Sequence, residues 1–405
     1  MNGKSIFVAL IGILGAMQVA RADMVTDWND QAVAMLAVRP LPSPVADRIM
    51  AMMHVAIFDA VNAVEPRYRP YLQRIAIEAP VSKEAAAAAA AAAVLAGLRP
   101  DAAVEVDAQL TASLSAIAEG PEKASGVKLG KTAAERILAA RANDGAGATD
   151  TYRPKTKPGV YIPTPLTATS TWPGVKPFAM QSGSQFRPPP PIALTSAQWI
   201  ADYNEIKKFG SRNSTERSAR QTEDARFWLM VGPVSYYPMA RQLVAQKHMS
   251  LLDSARFLAL VSVAIEDSYI AVMDAKYTYE FWRPVTAIRN GDQMRNSAMA
   301  RDAAWLPLGE TPMHPEYPCA HCIASGAFAS VVETLFGSAD VPELSMTSPT
   351  APGVTHHWTN IRAYTNEVSE ARIWAGFHYR FSTRVGQEMG RKIGQHVARS
   401  VMQPI

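Results

Sequence analysis

The alanine-rich stretch KEAAAAAAAAAVLAGL, residues 83–98, decides the fold class. Alanine is the strongest helix former, and Arg99-Pro100 follows as a stop signal. Alanine at this density implies close helix–helix contact rather than chemistry. The same character extends outward in both directions. Val33 to Val64 carries Met, Leu, Ile and Val at helical spacing, broken by PLPSP at 40–44. Ala102–Ile117 and Gly126–Ala142 repeat the pattern. From Tyr152 to Leu194 the composition turns proline-rich (PKTKPGVYIPTPL, FRPPPPIAL) and breaks helices, although Tyr161, Trp172 and Phe178 argue for packing there. Helical patterns resume near Ala197 and run to the C-terminus, with an irregular patch at Ser345–Val354. Strand alternation is scarce and no repeat of fixed period is found. The expectation is an all-α protein of two helical bundles, with residues 23–195 ending in the proline-rich segment and 196–405 forming the second unit.

The N-terminus suggests export. Lys4 precedes an apolar run from Ile6 to about Ala16, and Ala20-Arg21-Ala22 gives a small-x-small cleavage pattern before Asp23. This is the layout of a signal peptide (residues 1–22), with an uncleaved anchor as the alternative. A periplasmic or secreted protein without a stable membrane span is expected. A net charge of +4 without a Lys/Arg-rich block gives no indication of nucleic-acid binding. Two cysteines do not make a disulfide framework, but at C-x-x-C spacing in an oxidising compartment they can bond to each other.

Three stretches carry unusual chemistry. In KYTYEFWRP, residues 276–284, Lys276 and Arg283 would lie about 20° apart on one helical face, with Pro284 ending the helix. HPEYPCAHC, residues 314–322, holds both cysteines and precedes IASGAFASVVETLFG, which reads as a helix starting near His321. A helix N-terminus attracts anions, and a histidine there can act as acid or base. In ARIWAGFHYRFSTRVG, residues 371–386, Arg372 and His378 would be about 120° apart on a straight helix, so the arginine must reach. Alone, each motif also fits a solvated cation pair or a core histidine. Together they supply three cations and two histidines with no carboxylate placed to bind a cation, a set suited to an oxyanion.

With those residues in view, the chain resembles the superfamily of vanadium-dependent haloperoxidases and type-2 phosphatidic acid phosphatases. Its signature is Lys-x6-Arg-Pro, Pro-Ser-Gly-His, then Ser-Arg-x5-His-x3-Asp. Lys276, Arg283 and Pro284 match the first part, Pro318-Cys319-Ala320-His321 occupies the second, and Arg372 with His378 matches the third. EFWRP, WNDQAVAMLAVRP and HVAIFDAVNAV are similar to the bacterial haloperoxidase-like branch. The resemblance implies vanadate as cofactor, with phosphate able to take the same site. It implies His378 as the vanadium ligand, or as the nucleophile of a phosphatase. Lys276, Arg283, Cys319, Ala320 and Arg372 would surround the oxyanion, and His321 would move a proton. His314 and Trp282 would face the halide, with His314 hinting at bromide or iodide. Partners would be hydrogen peroxide, a halide and a small organic acceptor, or a phosphate ester; the oligomeric state stays open.

Four departures stand out. Cys319 and Ala320 replace serine and glycine, Ala371 replaces the serine before Arg372, and Ser382 replaces the aspartate after His378. A thiol is a weaker donor than a hydroxyl, and a disulfide donates nothing. Loss of the aspartate counts against a phosphohistidine route. Because peroxide would oxidise an exposed thiolate, Cys319 and Cys322 are expected to be paired. Haloperoxidase, phosphatase and an oxyanion binder without turnover are the readings carried forward. A zinc deaminase signature (H-x-E, P-C-x-x-C) fits the letters of 314–322 but lacks its α/β setting. A redox dithiol lacks its βαβ context. His356-His357 reads as a solvent-facing loop pair.

Overall fold

The computed structural model describes residues 23–163 and 165–405, so the expected signal peptide lies outside the described residues. The first half contains α1 (Met24–Val38), α2 (Ser43–Val64), α3 (Lys83–Leu98), α4 (Ala103–Ser115) and α5 (Pro121–Arg141). The second contains α6 (Ala197–Phe209), α7 (Ala219–Phe227), α8 (Tyr237–Gln246), α9 (Leu251–Tyr279), α10 (Pro284–Arg289) and α11 (Ala320–Phe336). A hairpin of β1 (Asp340–Ser348) and β2 (Ala351–Asn360) follows, then α12 (Ile361–Trp374) and α13 (Arg380–Ser400). No single helix among the described residues is long and apolar enough to cross a membrane.

The alanine-rich α3 is buried from Ala85 to Ala92. Its small side chains let α5 approach so closely that a Cβ on Gly130 would stand 2.3 Å from the Ala86 carbonyl oxygen. Helix α9 is buried on nearly every face, which marks a core helix rather than a surface one. It packs against α2 on one side and against α11 and α13 on the other. One apolar core consequently runs from Val25 to Met402 through both groups of helices.

Buried acids on α9 also hold the proline-rich segment. Asp267 accepts the amides of Phe178, Ala179 and Met180 at 2.6, 2.8 and 2.9 Å. Glu266 accepts the Trp172 indole N–H at 2.9 Å, and Asp274 pairs with Arg187 at 2.6 Å. Irregular backbone can be packed this way because its polar groups find partners. The patch expected to be irregular, Ser345–Val354, belongs to the antiparallel hairpin, where Leu344 and Met346 on β1 and His356 and Trp358 on β2 are buried. The proline and the run of polar residues hid its alternation.

Candidate active site

Three segments converge at one end of α9. Lys276 sits in the last turn of that helix with its ammonium fully buried. It donates to the carbonyls of Pro315 and Glu316 at 2.8 and 2.7 Å, which leaves one of its three N–H donors uncommitted. The helix then stops at Tyr279, with Glu280 in the left-handed region at φ 49°. Arg283 is therefore not on the helical face of Lys276, as the seven-residue spacing had suggested. Pro284 does not end a helix but begins α10, where its missing N–H costs nothing. Arg283 turns inward, donating Nε to His314 O at 2.9 Å and Nη1 to Phe377 O at 3.0 Å. Arg372 lies in the last turn of α12, buried, with one Nη donating to the Trp228 carbonyl and its Nε without a partner. After α12 the chain turns at Gly376 (φ +81°), where a Cβ would lie 2.5 Å from the Gly210 carbonyl oxygen. That break in the helix, rather than a long reach by Arg372, brings His378 round to the same site.

The tautomers follow from the partners. His378 Nδ1 is 2.9 Å from Glu316 Oε1, and the same oxygen accepts the Tyr379 amide at 3.1 Å. The carboxylate takes the Nδ1 proton, so Nε2 presents its lone pair to the site, with Arg283 Nη1 at 3.3 Å. His321 Nε2 is 2.9 Å from Met230 O; a carbonyl only accepts, so Nδ1 remains as the base. His314 Nδ1 takes a hydrogen bond from Arg283 Nη2 at 3.0 Å. Burial depresses every cation. Lys276 falls well below its ordinary range and Arg372 to about 9, through burial and then the Arg283 charge, while burial alone takes Arg283 to about 10 against the pull of Glu316. His314, His321 and His378 are all held well below normal, so they are neutral. Burial pushes Glu316 up to about 7, against the pull of Lys276 and Arg283. Such a cluster of buried cations favours a polyatomic anion with several oxygens.

The cluster opens on a cavity of about 510 Å³ lined by His314, Ala320, His321, Arg372 and His378, with Ala168 and Thr169 from the proline-rich segment in its wall. Residues 256–405 match the family model for the VCPO second helical-bundle domain. The chain is 28% identical over 194 residues to the vanadium chloroperoxidase of Curvularia inaequalis. That match spans 40% of this chain and only 31% of that protein. In overall structure the chain resembles a bacterial vanadium-dependent iodoperoxidase with a TM-score of 0.81 at 23% identity, covering 94% of this chain and 96% of that one. It also resembles an apo-type bacterial vanadium-dependent chloroperoxidase with a TM-score of 0.72 at 17% identity, covering 89% and 93%. The chain shares the fold of the vanadium-dependent haloperoxidases, and its residues 256–405 match their second helical-bundle domain.

Against the superfamily pattern, the departures can now be placed. Cys319 is bonded to Cys322, fully buried, and its sulfur serves only as the cap of α11 by accepting the Cys322 amide at 3.2 Å. It donates nothing to an oxyanion, so the role carried over to Cys319 is corrected. The amides of Ala320 and His321 open α11 and have no intrahelical acceptor, which leaves backbone donors where a haloperoxidase has its serine hydroxyl. Trp282 is not in the pocket wall. It stacks on Trp199 at 6.1 Å within a separate aromatic core, because in extended backbone it points opposite to Arg283. Glu316 is the residue that motif matching missed. Where the resemblance expects an aspartate stands Ser382, yet a carboxylate on His378 Nδ1 is present, supplied from a segment 62 residues earlier in sequence.

Proposed function

We propose that this protein is a vanadate-dependent haloperoxidase that oxidises a halide, bromide or iodide in preference, with hydrogen peroxide. The observation that carries this reading is His378, its Nδ1 proton held by Glu316 and its Nε2 lone pair facing three buried cations. Vanadate fits the donor set, because Arg372 Nε is buried without a partner and Lys276 retains an N–H donor. When bound, vanadate supplies a Lewis-acidic centre at which peroxide becomes an oxidant. Every other contribution comes from the chain. His378 Nε2 would hold the cofactor, and Lys276, Arg283 and Arg372 would offset the charge on its oxygens. His321 Nδ1 is the group positioned to take a proton from incoming peroxide. His314 lies beside the cavity with Arg283 fixing its ring, in the place the resemblance gives to the halide selector.

A phosphatase is the second reading, and Glu316 favours it more than the sequence did. The missing aspartate had argued against a nucleophilic histidine, but a carboxylate on Nδ1 is the arrangement that raises imidazole basicity. A paired assay separates the two. Halide oxidation that requires added orthovanadate supports the proposal, and vanadate-independent hydrolysis of an aryl phosphate without halide oxidation replaces it. Vanadate binding with neither activity would mark an oxyanion binder without turnover. We also infer export, because the Cys319–Cys322 disulfide suits an oxidising compartment.

A further inference from the structure

The tandem His356-His357, expected in a solvent-facing loop, lies on β2, where alternation sends the two rings apart. His357 is exposed, whereas the His356 side chain is 1% exposed and stacks on Phe227 with ring centroids 3.9 Å apart. His356 Nδ1 is 2.6 Å from Glu367 Oε1. Glu367 is itself fixed by two indole N–H groups, Trp228 at 2.9 Å and Trp358 at 3.0 Å. The carboxylate holds the Nδ1 proton, which leaves Nε2 as the nitrogen that can coordinate a metal. That nitrogen is buried and has no hydrogen-bond partner. It points at consecutive carboxylates on α7, 3.6 Å from Asp224 Oδ1 and 4.0 Å from Glu223 Oε1.

We propose that His356, Asp224 and Glu223 form a divalent-cation site, separate from the oxyanion site and best matched to zinc. A buried, unpartnered imidazole nitrogen facing two carboxylates is a mixed N/O donor set, and the Glu367–His356 hydrogen bond is the outer support that metal-binding histidines characteristically have. Ligand atoms around a tetrahedral zinc lie about 3.3–3.6 Å apart, so the two carboxylate oxygens and the imidazole nitrogen, all within 4.8 Å of one another, need only a modest closure. Calcium and magnesium are poorer matches because they prefer oxygen alone. Arg220 reaches the same two carboxylates, 2.8 Å from Asp224 and 3.2 Å from Glu223. Its side chain is 63% exposed, so it can swing into solvent when a metal enters. A bound cation would tie together α7, β2 and α12, the helix that carries both Glu367 and Arg372.

The test is calorimetric titration of the full chain with zinc, with elemental analysis after dialysis. The expected result is one zinc per chain lost in His356→Gln, weakened at least tenfold in Glu223→Gln, and kept in His378→Gln. Glu223 is half-exposed, so its variant keeps the fold even if the buried histidine variant does not. No zinc uptake by the wild-type chain would overturn the proposal. Uptake unchanged in Glu223→Gln and abolished in His378→Gln would also overturn it, by placing the zinc among the oxyanion-site histidines.

Discussion

Replacing Glu316 by glutamine probes the inferred role of the carboxylate with little change of shape. Glu316 is fully buried and its Oε1 accepts from both His378 Nδ1 and the Tyr379 amide, at 2.9 and 3.1 Å. A glutamine carbonyl can accept both bonds, so the tautomer of His378 survives while the charge is lost. A charge-assisted hydrogen bond contributes about 1.5–3 kcal/mol and a neutral one about 1, a difference of about 1–2 kcal/mol. The new amide also places N–H donors where Oε2 now has no partner, adding a desolvation cost. Together these predict orthovanadate affinity weakened by about 10–100-fold, the usual effect of losing such an outer partner. The assay is calorimetric titration with orthovanadate at fixed pH, with circular dichroism as a check on folding. A competing effect has the opposite sign, because a carboxylate near a bound anion repels it. If Glu316→Gln binds vanadate as tightly as wild type or more tightly, repulsion dominates and the assignment of Glu316 as support for His378 fails.

Three further outcomes follow from particular residues. Gly376→Ala forces an L side chain into φ +81° and against the Gly210 carbonyl, so it should lose about 1–3 kcal/mol of stability and weaken vanadate binding; an unchanged denaturant midpoint would contradict this. Asp47 is buried without a partner for either oxygen, and burial raises it to about 8, the Tyr236 hydroxyl pulling the other way. The stability of its protonated form is full below about pH 4 and is lost as the pH rises through 8, so Asp47→Asn should raise Tm at pH 8 by the equivalent of up to about 5 kcal/mol and change little at pH 4. Equal Tm gains at both pH values would argue against that burial cost. Thiol titration of the unreduced, denatured chain should find no free thiol, since Cys319 and Cys322 are bonded to each other; two titratable thiols would show that the bond is absent.

Much of this architecture was legible in sequence because helices announce themselves locally. The alanine run became α3 with the same bounds, and α11 began where His321 had placed it. The cationic set also converged as the spaced motifs implied. What escaped was non-local or depended on backbone breaks. Lys276 and Arg283 meet across a helix end rather than along a face, since Glu280 takes the left-handed conformation four residues after Lys276. The hairpin over 340–360 carries a polar outer face that resembles a loop. Glu316 and His378 sit 62 residues apart, so no spacing rule pairs them. The only signal for Glu316 was a carboxylate inside an otherwise uncharged, histidine-containing motif.

The most direct test is the crystal structure of the protein soaked in orthovanadate. Vanadium is expected on His378 Nε2, with Glu316 still on Nδ1 and with Lys276, Arg283 and Arg372 on its oxygens. Vanadium held elsewhere, or a site that stays without vanadium while His378 keeps Arg283 as its partner, would contradict it.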